Sequence, residues 1–236
     1  MEDQKYTLVE HLGELRKRLM IVAVVIIVST LVCYNYVNYI IDYVVSPAKG
    51  LEFVYLTPPE LFLAYVKLAL IVGIAITSPI TISQIWFFVR PGLEKSEKRY
   101  IMLALLSGYF FFITGVTFAY KVILPITLNF FVKLKLEGIE PMFSFGSYVG
   151  FINSILLAFG LVFEMPIVVL LLTKLNIITA NTLKKNRKIF VLLIVIVAAL
   201  LTPPDVVSQM LLAAPMLVLF EISVILSTIV GKKAKE

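Results

Sequence analysis

The sequence predicts an all-α polytopic membrane protein: six transmembrane helices in a concave, kinked bundle, with both termini in the cytoplasm. Three observations carry this. Apolar runs recur at about 19–43, 61–89, 100–125, 148–173, 189–201 and 210–230 in a chain of 236 residues. A helix needs about 20 apolar residues to cross ~30 Å of hydrocarbon, and most of these runs are long enough. The basic residues alternate by gap: sixteen lie in the N-terminal tail, second gap, fourth gap and C-terminal tail, against four in the other gaps. Basic residues favour the cytoplasmic side, which fixes the orientation.

Composition narrows the function. With 60% hydrophobic residues and a mean hydropathy of +0.99, no gap is long enough to fold alone, so residues 1–236 read as a single transmembrane domain. The net charge of +6 would suggest nucleic acid in a soluble chain. The positive-inside bias accounts for it here, and no nucleic-acid partner is implied. Cys33 and His11 are the sole residues of their types, which excludes an internal disulfide and a zinc site. No metal or other cofactor is expected. Acids at 2, 3, 10 and 14 and the length of the first run argue against a cleaved signal peptide.

Along the chain, Leu8, Leu12, Leu15 and Leu19 form one face of an amphipathic helix over 7–18 that leads into the first span. Thr57-Pro-Pro-Glu60 and Thr202-Pro-Pro-Asp205 are both helix starts in outer gaps, with proline in the first turn and an acid beside it. Residues 128–136 predict a short helix on the membrane surface. Pro79, Pro125, Pro166 and Pro215 predict kinks that neighbouring helices can accommodate. The fifth run, 189–201, has 13 apolar residues and reaches only ~20 Å.

Polar residues at depth mark candidate sites. Glu164 lies roughly 24 Å along the fourth span from Tyr148. It is either a functional carboxylate or one bonded to a Tyr, Ser or Asn of a neighbouring helix. Glu221 can be solvated near the inner interface, and Lys67 can snorkel outward. Glu14 and Glu97 are acids on a basic face. Glu14 can pair with Arg18 one turn on, and Glu97 can serve the dipole of the third span. An acidic pocket in such a surround would select a small cationic ligand, ideally arginine held by two hydrogen bonds. Gly-x-Ser-x-Gly, His-Glu-x-x-His and P-loop motifs are missing, and no enzyme is expected.

His11-Leu-Gly-Glu-Leu-Arg-Lys-Arg-Leu19 resembles the N-terminus of the TatC family, the multi-spanning core of the twin-arginine protein translocase. Gln84-Ile-Trp-Phe-Phe88-Val-Arg-Pro-Gly-Leu93, followed by Glu97-Lys-Arg99, resembles the family's first cytoplasmic loop. Phe159-Gly-Leu-Val-Phe-Glu164-Met-Pro166 resembles its fourth span, and Thr202-Pro-Pro-Asp205-Val-Val-Ser-Gln209 its last outer loop. The resemblance implies a signal-peptide receptor in the cytoplasmic membrane of a prokaryote. Such a receptor exports folded proteins on the proton-motive force, together with TatA- and TatB-type single-span proteins. The family's acidic signal-binding positions fall on Glu14 and Glu97, and its intramembrane glutamate on Glu164. Arg18, Phe88 and Leu93 complete the expected peptide site, with Glu94 as a bystander. Val191, Val195, Gln209 and Met210 are the expected partner contacts, Pro203 and Asp205 the expected outer-loop residues. The lipid bilayer is a partner in its own right, and further copies of the chain are left open. The runner-up is a small-solute transporter with Glu164 as its cation site, but paired internal repeats are not evident.

Overall fold

A computed structural model of the chain describes residues 8–48, 51–92, 95–133, 142–175, 177–201 and 206–233. These residues are almost wholly helical. α1 (Leu8–Asn35) is one unbroken helix, so the amphipathic segment and the first span are continuous. The chain breaks at Tyr36, and α2 (Val37–Val45) follows. α3 is Pro58–Val89 and α4 is Lys95–Phe118. A π-helical turn, Ala119–Ile123, joins α4 to α5 (Leu124–Lys133). α6 (Phe145–Phe163) and α7 (Met165–Lys174) are separated at Glu164. α8 (Ala180–Lys185), α9 (Arg187–Leu201) and α10 (Val206–Lys233) complete the described chain.

Among the described residues, five helical runs are long and apolar enough to cross a membrane: Glu10–Asn35, Pro58–Gly92, Lys98–Lys133, Phe145–Lys174 and Gln209–Gly231. α9 is the exception, since its 15 residues reach about 22 Å. It lies antiparallel to α10: Arg187 pairs with Glu221 near one end, and the Gln209 side chain donates to the Val195 carbonyl (3.1 Å) nearer the other.

Contacts at the helix ends fix the directions. β1 (Phe53–Val54) and β2 (Phe143–Ser144) pair in parallel, Phe53 opposite Phe143, so α3 and α6 start side by side. At the other end, His11 of α1 stacks on Phe88 of α3 with ring centroids 4.4 Å apart. Lys174 at the end of α7 sits 4.3 Å over the Tyr100 ring of α4.

Two buried clusters hold the bundle, and α6 contributes to both. One gathers Val44, Leu68, Leu124, Val149 and Ile152 around the starts of α3 and α6. The other packs Phe159, Ile194, Leu212 and Phe220 between α6, α9 and α10. Leu31 and Leu200 remain 63% and 81% exposed, as expected of faces solvated by lipid. Small residues allow close helix approach. At Gly115 of α4, an added Cβ would lie 2.5 Å from the Phe159 carbonyl oxygen of α6.

The expected proline effects are plain at two of the four sites: the α6–α7 break precedes Pro166 and a π turn precedes Pro125. α3 runs through Pro79 and α10 through Pro215 as continuous helix. Proline leaves the carbonyl four residues back without its donor. For Pro79 that carbonyl is Ala75, and the Ser78 hydroxyl supplies the bond at 2.6 Å. Before Pro125 the helix widens into the π turn, a common response to a disrupted ladder. Residues 128–133 of the expected surface helix are the end of α5, with Thr127 and Leu128 buried, and 134–136 lie outside the described residues.

Candidate functional site

The start of α1 and the end of α3 build a polar patch. Glu14 and Arg18 lie one turn apart on α1 and pair at 3.1 Å. Arg18 also donates through Nη1 to Gln84 Oε1 of α3 at 3.0 Å, and its guanidinium lies 5.3 Å from the Phe87 ring centroid. Their side chains are 18% and 26% exposed. Glu14 Oε2 and Arg18 Nε are buried with no partner among the described residues. One carboxylate oxygen is therefore held in place and the other lacks a donor, an arrangement suited to a further cation (a buried carboxylate without one is costly). Phe88 stacks on His11 and lines the same surface.

Glu97 lies in the first turn of α4, at the same end of the bundle, and its side chain is not among those described. Leu93 and Glu94, Pro203 and Asp205 lie outside the described residues.

Glu164 occupies the break between α6 and α7. Met165-Pro166 prevents α6 from continuing as regular helix, and the Glu164 carbonyl restarts it by accepting from Val168 N–H at 2.9 Å. Its carboxylate lies against Gly108 of α4, where an added Cβ would come 2.6 Å from Oε2. Counting along α7 from Lys174, Glu164 is ~15 Å deep, and counting along α4 from Tyr100, Gly108 is ~12 Å deep. Both helices place the carboxylate about 12–15 Å in from the end of the bundle where Lys174 meets Tyr100. Among the described residues no Tyr, Ser or Asn side chain bonds to it, contrary to the structural alternative.

Glu221 is explained by its pairing with Arg187. On α9, Val191 and Val195 are half-buried, while Leu192, Leu193, Ile196 and Leu200 form the exposed stripe. Met210 is 57% exposed, and Gln209 is committed to α9 through Val195. Sequence reasoning missed one cross-link. Glu60, read as a helix-start acid, accepts from Ser144 Oγ, from Gly146 N–H at 3.1 Å and from Leu56 N–H at 2.9 Å. It missed Gln84, Phe87 and Gly108 as site residues too; Gln84 and Phe87 lie in the quoted loop motif, but nothing in the sequence pairs Gly108 with Glu164.

The family model described as "Sec-independent protein translocase protein (TatC)" matches residues 10–215. The chain is 40% identical over 236 residues to the Sec-independent protein translocase protein TatC of Carboxydothermus hydrogenoformans, covering 99% of this chain and 97% of that one. It is 36% identical to TatCd of Bacillus subtilis, covering 99% of this chain and 96% of that one. The crystal structure of a twin-arginine translocase receptor, TatC, superposes with a TM-score of 0.81 at 34% identity, covering 96% of this chain and 100% of that chain. The chain is a multi-pass membrane protein of the TatC family.

Proposed function

We propose that the chain is the signal-peptide receptor and core of a Sec-independent translocase that exports folded proteins across a prokaryotic cytoplasmic membrane. The observation that carries this is Glu14: Arg18 holds one carboxylate oxygen at 3.1 Å, and the other is buried with no donor among the described residues. An arginine of a twin-arginine signal peptide supplies that donor. Its planar guanidinium suits a carboxylate edge better than an ammonium does. The second arginine needs a second acid, and Glu97, in the first turn of α4 at the same end of the bundle, is the candidate. Phe88, Leu93 and Arg18 border the peptide.

In this reading both termini are cytoplasmic and α9 makes the sixth crossing. Its ~22 Å against ~30 Å of hydrocarbon requires a thinned bilayer or a covering partner helix. TatA- or TatB-type helices dock there, on the exposed stripe of α9 and on Met210. Glu164 receives a polar group of the inserting peptide or partner at mid-depth. No catalytic step is needed, since the proton-motive force drives transport.

The test is binding of a labelled twin-arginine peptide to the chain in nanodiscs. Losing one charge-assisted partner costs about 1.5–3 kcal/mol, so Glu14→Gln weakens binding at least about tenfold. A twin-lysine peptide binds wild type correspondingly less well. Unchanged binding by Glu14→Gln would remove the basis of the proposal.

A further inference from the structure

The starts of α3 and α6 enclose an open cleft of about 470 Å³ that the receptor function does not use. Glu60, Leu63 and Lys67 line one wall, and Ser144, Ser147 and Gly150 the other. Two charges stand in it at different depths. Glu60 is at the helix start, and Lys67 is seven residues further in, ~10 Å deeper along α3. Lys67 is exposed and has no partner among the described residues. An unpaired cation at that depth is expensive and marks a site by default.

Glu60 is only partly satisfied. Oε1 accepts from Ser144 Oγ and Gly146 N–H, and Oε2 accepts from Leu56 N–H. An ionised carboxylate offers about four acceptor positions, which leaves one on Oε2. Among the described residues no cation pairs with it. The order from the surface inward is therefore carboxylate, then ammonium. A zwitterionic aminophospholipid presents the opposite order: its ammonium is outermost, its phosphate two carbons further in, and its acyl chains below.

We infer that this cleft binds the headgroup of an aminophospholipid such as phosphatidylethanolamine. Its ammonium meets Glu60 Oε2. Its phosphate meets Lys67 Nζ and the Ser147 hydroxyl, which is exposed and free of partners among the described residues. Gly150 leaves room for an acyl chain, because a Cβ there would meet nothing within 4 Å. The open wall at Gly150 and the unpaired Lys67 are then two parts of one lipid site.

The experiment is native mass spectrometry of the full chain released from nanodiscs containing equal phosphatidylethanolamine and phosphatidylglycerol. Wild type retains phosphatidylethanolamine over phosphatidylglycerol by about tenfold, the scale of one charge-assisted contact. Lys67→Gln abolishes retention, and Gly150→Leu does so by filling open space without a clash. Lys121→Gln, which alters an exposed lysine outside the cleft, retains the lipid. Inorganic phosphate at millimolar levels does not displace it. The inference is overturned by equal retention of phosphatidylglycerol, by displacement with inorganic phosphate, by loss in Lys121→Gln, or by full retention in a folded Lys67→Gln or Gly150→Leu chain.

Discussion

Gly108→Ala and Gly115→Ala place the same methyl group on the same helix, α4, with different consequences. At position 108 the new Cβ would lie 2.6 Å from Glu164 Oε2, the far end of a flexible side chain. The carboxylate can rotate away at about 0.5–1.5 kcal/mol. Replacing glycine in a helix returns up to about 1 kcal/mol, so stability changes by less than about 1 kcal/mol. At position 115 the Cβ would lie 2.5 Å from the Phe159 carbonyl oxygen and 2.8 Å from Phe163. A backbone atom cannot yield without moving α6, and overpacking of this kind costs about 1–3 kcal/mol. Thermal unfolding in detergent and export into membrane vesicles separate the two effects. Gly115→Ala loses stability. Gly108→Ala keeps it but lowers export at least about fivefold, because the carboxylate that must meet the inserting group is displaced and a contact worth ~1 kcal/mol is lost. Full export by Gly108→Ala, or a stability loss equal to that of Gly115→Ala, would refute the assignment of Glu164 as a positioned polar site.

Glu97→Gln weakens peptide binding by at least about tenfold while Glu94→Gln does not, as measured by titration with a labelled peptide; equal effects point to general loop electrostatics. Lengthening α9 by one turn of leucines, ~6 Å, lowers transport and leaves peptide binding intact; unchanged transport removes hydrophobic mismatch from the mechanism. Cys33 is buried, so cysteines placed singly at Tyr55 and Val206 should label from outside sealed cells, whereas one at Asn186 should label only after permeabilisation; external labelling at Asn186 overturns the orientation.

The five long spans were legible because each is an extended local run of apolar residues, whereas the short run of α9 falls below the length of a full crossing. Glu164 was legible for a similar reason: a charge inside such a run stands out, and Pro166 beside it predicts a break. The Glu14–Arg18 pair follows from one-turn spacing. What was not legible depends on contacts between distant segments. Glu60 carries the same local signature as any helix-start acid, yet its partner Ser144 is 84 residues away and is delivered by a two-residue strand pair too short to show a pattern. Gly108 became informative only when α4 was placed against the α6–α7 break. Pro125 and Pro166 interrupt their helices, whereas at Pro79 the neighbouring Ser78 hydroxyl takes up the freed Ala75 carbonyl and the helix stays continuous, a pairing decided by rotamer. On α9, apolar composition alone did not say which side chains face outward: Val191 and Val195 are half-buried beside the exposed stripe of Leu192, Leu193, Ile196 and Leu200.

The most direct test of the receptor assignment is a photo-cross-linking scan with a twin-arginine peptide, using probes beside the acids at Leu15 and Lys98 and, as a contrast, at the distant cleft residue Leu63. The expected result is strong cross-linking at Leu15 and Lys98, loss of both with a twin-lysine peptide or in the Glu14→Gln chain, and none at Leu63. Cross-links at Leu15 and Lys98 that persist with the twin-lysine peptide, or that appear equally at Leu63, would contradict recognition of the arginine pair by this face.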